Sequence, residues 1–123
     1  DLHGKDVIIV DDMIASGESL FDVAKQLKQR GAKRIFNFAT FGLFTSGFEK
    51  FDEAYENGLI DKIFTTNLVY HRPELETKGW WCEVNMSKYV SLLIDTLNHD
   101  TSISSFIDPA DRIEKILKKN NFK

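Results

Sequence analysis

Apolar positions along this chain follow two rhythms that alternate. Val7-Ile8-Ile9-Val10 is an unbroken β-branched run, which predicts a strand covered on both faces. Leu20, Val23, Ala24 and Leu27 then recur at helical spacing, and Gly31 marks the stop. Ile35–Phe41 reads as a second strand. Ser46 and Glu49 have the spacing of a capping box, predicting a helix with Phe48, Phe51 and Tyr55 inward and Gly58 at its end. Ile60–Thr66 is a third strand and Trp81–Val84 a shorter fourth. Ser87 caps a helix with Val90, Leu93, Ile94 and Leu97 on one face. Asp108-Pro109 opens a last helix whose apolar face is thin: Ile113, Ile116 and Leu117.

Strands separated by helical patterns imply βαβ units. The predicted class is α/β, a three-layer α/β/α arrangement around a mainly parallel sheet. Ligands bind such sheets at the carboxyl ends of the strands. Functional residues should therefore follow Val10, Phe41 and Thr66, where the sequence turns polar and loop-like.

Composition narrows the function classes. A length of 123 residues fits one domain with a real core. The net charge of −3 offers no basic surface for nucleic acid or an anionic membrane. Cys82 is alone, so no internal disulfide can form, and a reducing cytosol is the expected compartment. With His3, His71 and His99 scattered, the chain has no zinc-ligand spacing. No apolar run approaches the roughly 20 residues of a membrane span, and no signal peptide precedes the first strand. The start at Asp1, without methionine, is that expected of a piece of a longer protein.

The richest chemistry follows the first strand. Asp11 and Asp12 are expected to leave it together, and two adjacent carboxylates persist more readily when each finds donors. Ribose hydroxyls are such donors; a magnesium ion carried by phosphates also relieves the repulsion. The loop Ala15, Ser16, Gly17, Glu18, Ser19 offers backbone N–H groups and two hydroxyls at a helix N-terminus, where the dipole favours a phosphate. Glu18 brings the wrong charge and should point outward. Acid pairs after strands also cap helices, so the pair alone is weak; the ordered succession of strand, acids, Ser-Gly loop and helix is more specific. A response-regulator receiver domain has similar length and an early acid pair. It also needs a phosphoacceptor aspartate at a later strand end, where this chain has Phe41-Gly42, and Asp52 falls inside a helix.

The stretch Val7–Ser19 resembles the phosphoribosyl-pyrophosphate motif of type I phosphoribosyltransferases. Thr40-Phe41-Gly42-Leu43-Phe44-Thr45-Ser46-Gly47 is similar to the Thr-His-Gly-Leu-Phe-Ser-Gly segment of ribose-phosphate pyrophosphokinases, and Thr65-Thr66-Asn67-Leu68 to their Thr-Asn-Thr-Ile segment. With Ser102-Ile103-Ser104, the resemblance spans residues 1–107 and is to the C-terminal domain of that enzyme; residues 108–123 read as an added helix. It implies that Asp11 and Asp12 bind the ribose 2- and 3-hydroxyls and that Ala15, Ser16, Gly17, Glu18 and Ser19 wrap the 5-phosphate. It further implies a magnesium-dependent transfer of diphosphate from ATP to ribose 5-phosphate, a reaction of nucleotide biosynthesis. The catalytic lysine and arginine, and most ATP and magnesium ligands, belong upstream of Asp1, so the residues here include no catalytic group and the piece should not turn over alone. Thr40 would shape the ribose side. The family forms dimers and often hexamers, which implies self-association of the full protein.

This chain departs from the family pattern at Ala15, where an Asp is usual, at Glu18, where a small residue is usual, and at Phe41, where a His is usual. Val69–Trp81 is longer and more aromatic than the family segment. Ser102 and Ser104 match a stretch that serves an inter-subunit phosphate site in some members, but the aromatic that follows is displaced toward Phe106 and Ile107. Two other readings stay open: a phosphoribosyltransferase acting on a base, which needs a hood and catalytic loop not visible here, and a non-catalytic synthetase-like regulatory subunit, which Ala15 and Glu18 favour. Elsewhere, Lys28, Arg30, Lys33 and Arg34 read as solvated charges at a helix C-terminus. Trp80-Trp81 could stack on adenine, but a packing or subunit-contact role is the stronger reading; His71-Arg72, in a polar loop, could reach a phosphate, but read first as exposed loop residues without a ligand; Cys82 reads as a small buried residue.

Overall fold

The computed structural model describes residues 1–104 and 108–120. The chain forms two compact units, Asp1–Met86 and Ser87–Lys123. The first contains β1 (Asp6–Ile14), α1 (Glu18–Gln29), β2 (Arg34–Gly42), α2 (Glu49–Glu56), β3 (Lys62–Thr66), a 3-10 turn (Pro73–Thr77) and β4 (Trp81–Val84). The strands lie in the order β1-β2-β3-β4, all parallel, as the βαβ pattern predicts. Every crossover steps the same way along the sheet, so crossovers of one hand put α1 and α2 on one face. Phe21 of α1 and Phe51 of α2 meet there, ring centroids 4.9 Å apart.

The core lies between these helices and the sheet. Ala24, Ile35, Phe51, Ile63, Leu75 and Trp80 are almost wholly buried. Phe51 stacks on Trp80 at 5.3 Å, and Phe44 packs edge-on to Phe51 at 5.1 Å. The opposite sheet face differs from the expectation for Val7–Val10. Burial alternates along β1, with Val7 and Ile9 packed against the core while Ile8 and Val10 are 63% and 79% exposed. Register carries Val10 across to Phe38, Phe64 and Cys82, and the Phe38 and Phe64 rings stack at 4.4 Å on this open face. Cys82 is half-buried rather than buried. β1 is an edge strand, paired only with β2.

Local chemistry explains the other differences. The Ser46–Glu49 capping box does not form: α2 starts at Glu49 with no side-chain cap, and Gly47 N–H instead turns back to the Phe44 carbonyl at 3.2 Å. Tyr55 is exposed, whereas Phe48 and Phe51 are buried. β3 starts two residues after Ile60 because Asp61 is spent on β2: its carboxylate accepts the Ile35 N–H at 2.8 Å, and its N–H donates to the Ile35 carbonyl. Trp80 and Trp81 pack as predicted, with Trp81 Nε1 donating to Thr65 Oγ1 at 2.8 Å. Of the basic cluster, Lys28 Nζ donates to the Lys33 carbonyl at 2.7 Å and Arg34 pairs with Asp6.

The second unit holds α3 (Ser87–Asn98) and α4 (Ala110–Lys119). Asp108 Oδ1 accepts the Ala110 N–H at 2.9 Å at the start of α4. Ser102 and Ser104 hydroxyls lie 2.8 Å apart. Phe106 and Ile107 are outside the described residues. Among the described residues, no helix is long and apolar enough to cross a membrane.

Candidate functional site

Asp11 and Asp12 do not leave β1 together. The strand carries both and continues to Ile14, with Asp11 in register with Ala39 and Met13 with Phe41. Both acids are exposed. Asp11 finds donors within the chain: its Oδ1 accepts the Asp12 N–H at 2.8 Å. Hydrogen bonding to the Asp12 side chain, then to the N–H groups of Asp12 and Met13, holds the Asp11 carboxyl below the usual carboxylate range. Asp11 is therefore ionised at neutral pH and can accept hydrogen bonds from hydroxyl groups.

The loop after Ile14 is fixed by packing from below. Gly17 is buried and has φ +88°, a left-handed conformation that glycine alone adopts freely. A Cβ there would stand 2.4 Å from Phe51 Cζ and 3.0 Å from Phe21 Cε2. α1 begins at the next residue, and the first intrahelical bond runs from Phe21 N–H to the Gly17 carbonyl at 2.9 Å. The N–H groups of the first turn of α1 are thus presented beside Ser16 and Ser19. Ser16 Oγ lies 3.5 Å from the Glu18 nitrogen, too long to be a firm bond, so this hydroxyl remains available. Glu18 points outward, as its charge requires, with Lys50 Nζ 3.5 Å from its carboxylate. The structure therefore brings Asp11, Asp12 and the Ala15–Ser19 loop together at one sheet end.

Three features of this region carry no short-range sequence signal. The exit of β2 grips the loop: Leu43 N–H donates to the Ile14 carbonyl at 2.8 Å and Thr45 N–H to the Ala15 carbonyl at 3.0 Å. Phe44 between them has φ +47°, unusual for a bulky residue. Thr40 sits one strand over, and its carbonyl accepts the Thr66 hydroxyl at 2.5 Å, tying the ends of β2 and β3. Behind the site, Asp52 accepts from Trp80 Nε1 at 2.7 Å and from Lys78 Nζ at 2.6 Å. Burial pushes Asp52 up, but the bonds from Lys78 and Trp80 outweigh it and leave the carboxyl below its ordinary value.

Among the described residues, no group of three or more His, Cys, Asp and Glu is arranged to hold a metal ion. The hard donors here are the Asp11–Asp12 pair. One or two carboxylates suit magnesium when the ion keeps its waters and shares phosphate oxygens, so the donor set fits a substrate-bridged ion rather than a resident one.

A family model for the phosphoribosyl synthetase-associated domain matches residues 1–108. The chain belongs to this family. Among curated relatives, the ribose-phosphate pyrophosphokinase of Vibrio cholerae is 32% identical over 108 residues, covering 88% of this chain and 33% of the relative. That of Shewanella oneidensis is 35% identical over 105 residues, covering 85% and 32%. The crystal structure of phosphoribosylpyrophosphate synthetase from Mycobacterium smegmatis superposes with a TM-score of 0.69 at 19% identity, over 81% of this chain and 32% of that one. That likeness bears on the fold, an α/β domain with a four-stranded parallel sheet. The chain spans about a third of the length of the curated relatives it matches.

Proposed function

We propose that residues 1–107 are the ribose 5-phosphate and phosphoribosyl-pyrophosphate binding domain of a synthetase that transfers diphosphate from ATP to ribose 5-phosphate, and that residues 108–123 are an appended segment carrying the helix Ala110–Lys119. The observation that carries this reading is the exposed Asp11–Asp12 pair two residues ahead of a glycine-pinned loop at the α1 N-terminus, in a chain of this family. Asp11 and Asp12 accept hydrogen bonds from the ribose 2- and 3-hydroxyls. The backbone N–H groups of Ala15–Ser19, with the Ser16 and Ser19 hydroxyls, wrap the 5-phosphate, aided by the helix dipole. Magnesium, when bound, would share Asp11, Asp12 or both with phosphate oxygens and neutralise their charge.

The role of these residues is positioning. Phosphoryl-type transfers depend on holding the acceptor hydroxyl in line and on charge neutralisation. The groups that act on ATP lie, in this reading, upstream of Asp1, and the full protein self-associates in the cytosol. The outward orientation of Glu18 weighs against a purely regulatory role, since it leaves the phosphate loop free of its charge.

Thermal shift of the 123-residue chain with ribose 5-phosphate, phosphoribosyl pyrophosphate and ADP tests the reading. Both sugar phosphates should raise the melting temperature and ADP should not. Asp11→Asn with Asp12→Asn should abolish the shift without lowering the unliganded melting point, because both side chains are exposed. Absence of a shift in folded wild-type protein refutes the ribose site; synthetase turnover by these 123 residues refutes the assignment of catalysis upstream.

A further inference from the structure

A second cavity, of about 280 Å³, opens between the exit of β2 and the segment that follows β3. Phe44, Thr45, Phe48, Tyr70, His71 and Arg72 are among its lining residues. It is a neighbour of the Ala15–Ser19 loop and not part of it: Thr45 is among the cavity's lining residues, and its N–H bonds the Ala15 carbonyl.

Arg72 is the unusual group here. Its guanidinium lies over the Phe48 ring at 4.2 Å, and among the described residues its one hydrogen bond, from Nη2 to the Phe44 carbonyl, is 3.5 Å long. A guanidinium has five donors, so most are unspent. Among the described residues, no carboxylate lies within ion-pair distance of Arg72, whereas nearby Lys78 and Lys50 are paired with Asp52 and Glu18. Among the described residues Glu74, two positions along, forms no ion pair with Arg72, and Glu76 and Glu83 lie beside His71, 3.1 Å from Nε2 and 3.5 Å from Nδ1. Among the described residues, the Thr45 and Tyr70 hydroxyls make no hydrogen bond.

We propose that this cavity is a second phosphate site, independent of the ribose loop, which takes a phosphate dianion, free or as the end of a small ester. The Arg72 fork supplies two parallel N–H donors, and the Thr45 hydroxyl a third. Arginine is suited to this because its planar donors match two oxygens of one phosphate. Stacking on Phe48 holds the fork in place before the ligand arrives. The volume, at the small end for ligand pockets, accommodates a phosphate group with water.

The test is a titration of the whole 123-residue chain with sodium phosphate at constant ionic strength, followed by amide and arginine Nε–H NMR shifts, with glycerol 2-phosphate as the ester arm. Saturable shifts at Thr45 and at the Arg72 side chain are expected with at least one of the two. Arg72→Met keeps an apolar stem over Phe48 and should weaken binding by about 10- to 100-fold, the value of one charge-assisted bond, with an unchanged melting temperature. Arg72→Lys should recover only part of it. Shifts confined to Ala15–Ser19, with Arg72→Met titrating like wild type, overturn this proposal while leaving the ribose site intact. Shifts at Thr45 and Arg72 without any at Ala15–Ser19 support it and count against the ribose loop. No saturable response to either ligand also overturns it.

Discussion

Replacing Gly17 with alanine probes the element on which the proposed ribose site rests. Two costs are separable. At φ +88° an L-residue pays the left-handed penalty, about 1–2 kcal/mol. The new Cβ would also meet Phe51 Cζ at 2.4 Å, well inside contact distance. Phe51 cannot yield cheaply, because it is fully buried with Phe21, Phe44 and Trp80 rings at 4.9, 5.1 and 5.3 Å. Forced shifts in such a core cost about 1–3 kcal/mol. The expected loss is about 2–5 kcal/mol, a large share of the roughly 5–15 kcal/mol typical of a domain. Gly58 provides the control: φ is +68° and nothing lies within 4 Å of its Cβ position, so Gly58→Ala pays only the backbone term. Urea denaturation followed by the fluorescence of Trp80 and Trp81 measures both, and their difference isolates the clash. If Gly17→Ala is no more destabilising than Gly58→Ala, Phe51 does not fix the loop and the reasoning fails.

Acid sensitivity should be traceable to Asp52. Its folded value is depressed, so its contribution is complete above the unfolded carboxylate value, about 4, and is lost as pH falls through the lower folded value. Asp52→Asn should cost about 1 kcal/mol at neutral pH, a figure reduced for the partial exposure of the pair, and should flatten the stability profile below about pH 4; an unchanged acid profile in urea melts argues against it. The two faces of the sheet should respond unequally to truncation. Ile35→Ala on the buried face should cost about 2–5 kcal/mol and Val10→Ala on the open face under about 0.5 kcal/mol, so equal costs by denaturant titration would mean that the open face is covered in solution.

Much of the fold was legible because it rests on local rules. The apolar runs and the Leu20–Leu27 spacing locate β1, α1 and β2, and Gly31 lies just past the end of α1. The parallel sheet follows from strand and helix alternation. What was not legible depends on residues distant in sequence. A continuous Val-Ile run looks the same whether one face or two are packed, so the exposure of Ile8 and Val10 has no sequence sign. The Ser46–Glu49 spacing predicts a capping box, but the turn from Phe44 to Gly47 takes its place. Asp52 reads as a helix-surface acid until Lys78 and Trp80 arrive from 26 and 28 residues away. For the candidate site, the acids and the loop were visible as a motif, whereas the grip of the β2 exit on Ile14 and Ala15 was not.

The position of Asp11 and Asp12 inside β1, rather than beyond it, gives them a second consequence. Among the described residues, β1 is a nine-residue strand at the sheet edge, and such a strand offers its outer backbone groups to another strand. β1 also displays Ile8, Val10 and Met13 to solvent, a combination that invites end-to-end sheet growth. Two adjacent negative charges in the same strand oppose it, since a second copy docking in parallel register would bring four carboxylates together. The pair proposed to hold a sugar would thus also oppose strand pairing between copies of this 123-residue chain, and neutralising it for a binding experiment would remove that opposition as well.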